Sequence, residues 1–425
     1  MRTPMSKSMT HMKKDFLWLI SVLLFWGMLA TSCSSSDDGN SPLPEPEPEP
    51  KTELPPARVT ETVRYEKEKT TAYNIEYPST DPLGNPVVLS GTITVGDEVD
   101  KDHPGRGLLL YNHFTVYRAN QCPSKGNLDV EKFMTGSGLI TISADYYGFG
   151  ITEDRQQAYC ISRANAQASV DALLAAKQLL KELGYSWNDD ILFNVGYSQG
   201  GQTAMGVVRL IDEKYPDLHI TYTFAGGGSY DIPETYRQFI RSGQTGMPST
   251  VISVLLAYNE YAELGIPRSE IFKEPVLSHI DEWILSKRYT RSQIDDMVGT
   301  QTIADFATPT MLDLDSDLSQ RYMQALEHDN LCKGWTPRKD NHIMLVHHEK
   351  DITVPVENTR NLYKFLKDAG VEDVELHDSN YFWLFTQPAH ESGAIVMATY
   401  AVEKVTKILG IKTWFNIDDL AKILF

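Results

Sequence analysis

The sequence predicts an α/β fold: a mostly parallel central sheet flanked by helices, with a mainly helical insertion. Three observations carry this. Short apolar runs at 107–112 and 139–143 have the length and composition of strands buried in a parallel sheet, and further strands are read at 191–195, 219–225, 342–347 and 373–377. Segments with helical spacing lie between them at 164–183, 202–213, 358–368 and 393–409, an alternation that implies parallel strands with helices on both faces. The rhythm then breaks over 230–335, which is charged, helix-like and without a clear buried strand.

Taken in order, residues 59–96 alternate apolar and polar around Asp81-Pro82-Leu83-Gly84-Asn85-Pro86, which reads as two antiparallel strands and a turn. The helix over 164–183 places Ala172, Leu173, Ala176, Leu179 and Leu180 on one face, and Gly184 stands where a helix ends. The domain reading is a core in two parts, 59–229 and 336–425, interrupted by a helical cap over 230–335. Within the cap, Val251, Val254, Leu255 and Tyr258 share one apolar face, which either packs the cap onto the core or contacts substrate.

The first 32 residues read as a signal peptide. Lys13 and Lys14 precede an uncharged apolar run from Phe16 to Ala30, too short to span a membrane comfortably. Ala30-Thr31-Ser32-Cys33 resembles a relaxed lipobox, so Cys33 is the expected lipidation site and the membrane is reached through that anchor. Residues 33–58 are polar, acidic and Pro-rich, an extended spacer. Ser36-Asp37-Asp38 resembles the acidic signal that sends lipoproteins of Bacteroidota to the cell surface. The expected location is therefore the outer membrane.

A net charge of −18 gives no basic face for nucleic acid. Beyond Cys33 three cysteines remain, Cys122, Cys160 and Cys332, which allow one disulfide with a free thiol or three thiols. There is no CxxC or HExxH pattern, and the adjacent His347 and His348 would point to opposite faces of a strand. No metal or cofactor is expected, and the oligomeric state is left open.

The chemistry is concentrated in Gly196-Tyr197-Ser198-Gln199-Gly200. A G-x-S-x-G pattern alone arises by chance in about one chain in seven of this length, from average Gly and Ser usage. Here it directly follows an apolar strand and directly precedes a helix, as a nucleophile elbow requires. A serine hydroxyl needs a base, and the base an orienting carboxylate. In the chain order Ser, acid, His, the acid is Asp351, in the loop after strand 342–347, with Glu349 as its rival. The base is His390, in the Pro388-to-Gly393 loop before the last helix; His377, at a strand end, is the other downstream histidine. The oxyanion needs two backbone N–H donors. Gln199 supplies one, and Thr115 is the choice for the second, with Phe114 or Val116 as alternatives.

These segments resemble the secretory lipase family, typified by the yeast lipase A enzymes, within the α/β-hydrolase superfamily. The resemblance rests on STDPLGNPVVLSGTI at 79–93, YNHFTVYRANQCPS at 111–124, DYYGFG at 145–150, GYSQGG at 196–201, GWTPRKDNHIMLVHHEKDITVP at 334–355 and PAHESG at 388–393. It implies an α/β-hydrolase fold, ester hydrolysis without a metal, a helical cap, and a triad of Ser198, Asp351 and His390. The chain departs from the family at His348, where glycine is common, and at Phe114, where His-Gly is common. Two readings compete with a serine esterase. One is a serine peptidase of the same fold, the other a surface lipoprotein that binds glycan or protein without catalysis. The aromatic run Tyr381-Phe382-Trp383-Leu384-Phe385 reads as packing or as part of an acyl or aryl pocket.

Overall fold

The computed structural model describes residues 54–378 and 388–412. The expected signal peptide, Cys33, most of the expected spacer and the aromatic run at 381–385 lie outside the described residues. Among the described residues nine strands form one sheet: β1 (Arg58–Tyr65), β2 (Thr70–Thr80), β3 (Pro86–Gly96), β4 (Gly107–Asn112), β5 (Leu139–Ala144), β6 (Leu192–Tyr197), β7 (Tyr222–Gly226), β8 (His342–Val346) and β9 (Asp373–His377). Their order is β1-β2-β3-β5-β4-β6-β7-β8-β9. The first three are antiparallel, β3 also pairs antiparallel with β5, and the rest are parallel. The longer helices are α1 (Asp129–Thr135), α2 (Ser162–Glu182), α3 (Gln199–Lys214), α4 (Ile232–Ser242), α5 (Pro248–Tyr261), α6 (Arg291–Val298), α7 (Asp317–Leu326), α8 (Glu357–Asp368) and α9 (Ala389–Leu409).

The expected α/β architecture is present, with local corrections. The leading segment holds three strands, not two. The charged run Glu66-Lys67-Glu68-Lys69 is a turn, with Lys69 at φ 50°, and it splits what alternation alone reads as one strand. Strand β8 stops at Val346, so His347 and His348 lie in the loop beyond it. Helix α1 was missed, although Val130, Phe133 and Met134 have helical spacing. Gly184, at φ 85°, sits just past α2, where a left-handed residue closes the helix.

The parallel strands separate two apolar layers. On β4, Leu108 and Leu110 join the cluster under α2, while Leu109 and Tyr111 face α1 and α9. Strands β4 and β5 are buried along their whole length, so each reads as a continuous apolar run. Cys122, Cys160 and Cys332 are all free thiols, the second of the two readings left open by their number.

Between β7 and β8 the chain runs through α4 to α7 and several short turns. Val251, Leu255 and Tyr258 of α5 lie inside the largest apolar cluster, beside Tyr117 and the 158–161 segment of the core. Tyr258 Oη donates to the carbonyl of Cys160 at 3.1 Å. The apolar face of α5 therefore fastens the cap to the core.

A second fastening is ionic. Asp329 is fully buried at the end of the insertion and faces the start of α2. Its carboxylate accepts from Ser162 Oγ at 3.1 Å, from the Arg163 amide at 3.0 Å and from the Arg163 guanidinium. An anion at a helix N-terminus satisfies amides that no turn of helix can reach. Asp329→Ala would strand these donors and should lower unfolding stability by about 2–4 kcal/mol. Urea denaturation checks this, and an unchanged midpoint would show that the contact does not hold the insertion.

Candidate active site

Ser198 occupies the turn between β6 and α3 with φ 58° and ψ −121°, a conformation that costs a non-glycine residue about 1–3 kcal/mol. Two glycines make room for the turn. A Cβ on Gly196 would stand 2.0 Å from the carbonyl oxygen of Gly200, and one on Gly200 would stand 2.1 Å from that of Asn112. The Ser198 amide donates to the carbonyl of Gly226 on β7 at 2.8 Å, which ties the elbow to the neighbouring strand.

Three predicted residues converge here. His390 Nε2 lies 2.8 Å from Ser198 Oγ, and His390 Nδ1 lies 2.6 Å from Asp351 Oδ2. Asp351 has no exposed side-chain surface. Its other oxygen accepts from the amides of Thr353 at 2.8 Å and Val354 at 3.0 Å. Burial would raise its pKa. The charge on His390 and the hydrogen bonds from His347 and His390 outweigh burial and hold the carboxyl well below the usual range. For His390 burial works downward, and Asp351 then Glu391 work upward, with the net result above the ordinary imidazole value.

The expected loop around His390 is helical. Pro388 takes the capping position of α9 with φ −52°, and His390 is the second residue of the helix. A proline near a helix start costs no hydrogen bond, so the helix begins earlier than the apolar periodicity from Gly393 shows. Tyr197 secures this end, its Oη donating to the carbonyl of His390 at 2.6 Å. Gly226 and Gly227 receive the Tyr197 ring, since a Cβ on either would meet it at 2.6 Å.

Residues that sequence reasoning assigned no role complete the site. His347 Nε2 faces the Val354 carbonyl at 2.8 Å and Asp351 Oδ2 at 3.3 Å. Both are acceptors, so the proton resides on Nε2, and the Thr359 hydroxyl donates to Nδ1 at 2.6 Å. The His347-His348 pair was visible as a motif, but its use depends on the strand ending before it. Arg291 of α6 pairs with Asp295 at 2.8 Å and approaches Glu391 at 3.8 Å, bringing the insertion to the residue beside His390.

The rivals lie elsewhere. Glu349 is exposed. His377 stacks on Tyr400 with ring centres 4.3 Å apart, at the sheet edge. Gln199 begins α3, so its amide has no partner within the helix. Thr115 lines the same cavity as Ser198, with its hydroxyl 2.9 Å from Tyr159 Oη, and Phe114 lines it too. Val116 is buried with Cys122 and Phe149. His113 anchors the loop by stacking on Tyr146 with ring centres 4.1 Å apart, and its Nδ1 lies 2.8 Å from the Phe114 carbonyl.

Ser198 and His390 open into a cavity of about 440 Å³. Its walls come from β4, β6, α1 and α9, and the insertion contributes Met247, Thr290, Arg291 and Ser292. The α5 face is absent from this lining. Val251, Val254 and Leu255 border a separate space of about 50 Å³ beside Tyr159 and Thr353. The substrate-contact reading of that face is thereby corrected, because α5 turns it toward the 158–161 segment. Among the described residues, no group of three His, Cys, Asp or Glu side chains is arranged to hold a metal, and no helix is long and apolar enough to cross a membrane.

Comparison with known proteins agrees with this architecture. The fold resembles the rice cell wall degrading esterase LipA from Xanthomonas oryzae, with a TM-score of 0.67 at 19% identity, over 84% of this chain and 97% of that one. It also resembles Candida antarctica lipase A in its closed state, with a TM-score of 0.62 at 14% identity, over 88% of this chain and 91% of that one. Among curated proteins no match was found. The family model for secretory lipases matches residues 132–407, from α1 through most of α9. The chain is therefore a member of the secretory lipase family, lipases and esterases built here on the α/β-hydrolase fold.

Proposed function

We propose that this protein is a serine carboxylic ester hydrolase acting through an acyl-enzyme, with Ser198 as nucleophile, His390 as base and Asp351 as its orienting acid. The observation that carries the reading is a single imidazole, 2.8 Å from a serine hydroxyl and 2.6 Å from a buried carboxylate. His390 takes the Ser198 proton on Nε2 as Oγ attacks the ester carbonyl. Asp351 keeps the other proton on Nδ1 and balances the imidazolium that forms. The amide of Gln199, with that of Thr115 or Phe114, receives the oxyanion. His390 then returns the proton to the leaving alcohol. Water, activated by the same nitrogen, cleaves the acyl-enzyme.

The second element of the proposal is location. A charged n-region, an apolar run, the Ala30-to-Cys33 lipobox and an acidic spacer follow one another in the order of a lipoprotein. We infer that Cys33 carries the lipid and that the enzyme works from the outer membrane.

Three expectations follow from this chemistry. Ser198→Ala and His390→Ala should each cut ester turnover by roughly three orders of magnitude or more. His377→Ala should leave it near wild type, and Ser198→Ala should abolish fluorophosphonate labelling. Labelling that survives Ser198→Ala would move the nucleophile elsewhere.

Catalysis requires neutral His390, and its pKa lies above the ordinary imidazole value of 6.5. Activity should therefore fall as the pH drops, with the midpoint of the acidic limb of kcat/KM above 6.5. The Glu391 carboxylate pushes that midpoint up, so Glu391→Gln should move it down. A limb that stayed in place would remove Glu391 from the electrostatics of the base.

Cys33→Ala should abolish acyl labelling and globomycin-sensitive processing in a bacterial host. Normal membrane retention of that variant would disprove the anchor.

A further inference from the structure

A carboxylate has room for about four hydrogen bonds, two on each oxygen. On Asp351 every position is taken. Oδ1 accepts from the amides of Thr353 at 2.8 Å and Val354 at 3.0 Å. Oδ2 faces two imidazoles, His390 Nδ1 at 2.6 Å and His347 Nε2 at 3.3 Å. Of these two rings, His390 is the one that lies against Ser198 Oγ.

His347 is fixed from three directions. It is wholly buried, and its backbone amide donates to the carbonyl of His377 on β9 at 2.9 Å. Its Nε2–H is shared between the Val354 carbonyl at 2.8 Å and Asp351 Oδ2. The Thr359 hydroxyl on α8 donates to Nδ1 at 2.6 Å, which holds the ring in the tautomer that donates from Nε2. Val354 is thereby gripped twice, its amide donating to Asp351 and its carbonyl accepting from His347. A histidine whose role was packing alone could satisfy Nε2 on that carbonyl. Here the ring also stands against the very oxygen that holds His390.

We propose that His347, held by Thr359, is a positioning residue of the reaction: it fills the second acceptor position of Asp351 Oδ2 and leaves His390 a single place to bind. The inference rests on the Ser198 esterase reading and adds two residues to it. With both positions open, the His390 ring could pivot between them, and its Nε2 would swing away from the Ser198 hydroxyl. A misplacement of about 1 Å at reacting groups costs on the order of a hundred-fold in rate. His347 has an electrostatic effect as well. Its donated hydrogen bond draws off part of the charge on Oδ2 that would otherwise act on the His390 imidazolium. The other charged groups that act on His390 are Glu391 and, from the insertion, Arg291. Changes at 347 and 359 leave both of them intact.

The test compares the full wild-type chain with His347→Leu, His347→Gln and Thr359→Val, using p-nitrophenyl butanoate and a fluorophosphonate probe. Leucine fills a similar volume and donates nothing. His347→Leu should lower kcat roughly ten-fold with KM near wild type, the effect of losing a hydrogen bond to a charged group. The acidic limb of kcat/KM should move up by roughly half a pH unit, because Asp351 then favours the imidazolium more strongly. A glutamine amide can place an N–H where Nε2 stands, so His347→Gln should recover most of kcat and return the limb. Thr359→Val keeps the shape and removes the donor to Nδ1. It should lower kcat roughly three-fold and move the limb the same way. These last two variants carry the test if His347→Leu does not fold. A lower melting temperature with kcat per labelled Ser198 and the limb both unchanged would mean a purely structural histidine and overturn the proposal. So would a His347→Gln protein no better than His347→Leu. A wild type that resists the fluorophosphonate would instead overturn the Ser198 reading on which this role rests.

Discussion

Everything at the site depends on the backbone of Ser198 being held at φ 58° and ψ −121°. That geometry turns the chain from β6 into α3 within one residue and lifts Oγ above the sheet edge. It is an unfavourable conformation, so the surroundings must impose it. They do so from three sides. The amide is held by Gly226 on β7, the Gly200 position is pressed against the carbonyl of Asn112, and α3 begins at the next residue. The same helix start leaves the Gln199 amide free to receive an anion. Strain, position and electrostatics are therefore consequences of one turn.

Asp351 and His390 are brought to that point with matching rigidity. Asp351 is wholly buried, and an isolated buried carboxylate would take up a proton. Four contacts prevent this: two amides of its own loop, His347 and His390. His347 is in turn fixed by Thr359, so the acid is oriented from two directions. His390 gains its rigidity from the helix that carries it. Tyr197, the variable residue of G-x-S-x-G, donates to its carbonyl and lies in a niche made by Gly226 and Gly227. The elbow thus positions His390 as well as Ser198.

The sequence disclosed what local rules determine. The strands, the elbow, the acid after β8 and the last histidine are each marked by pattern or by neighbours a few residues away. Missed features depended on distant contacts or on the exact end of an element. The charged turn at 66–69 lies within an alternating segment, and only pairing of β1 with β2 reveals it. His347 serves the acid because β8 ends one residue earlier than its apolar run implies. Helix α1 has only seven residues, too short for its periodicity to stand out from loop. The α5 face was legible as apolar but not in its destination, because amphipathicity says that a face is buried and not against what.

That last distinction bears on how the insertion and the core divide the work. The α5 face is committed to structure: Tyr258 of α5 and Tyr322 of α7 are fully buried, the first donating its hydroxyl to the carbonyl of Cys160 and the second to that of Leu255 on α5. Moving α5 would break these bonds and expose the largest apolar cluster of the protein. The insertion therefore meets the site through its other edge, at Met247 and residues 290–292, where the side chains are mostly polar. Most of the apolar lining of the cavity instead comes from the sheet, α1 and α9, the helix whose first turn carries His390. One helix thus brings His390 to Ser198 at its start and lines the cavity along the following three turns, so the register that aligns His390 also fixes which side chains border that space.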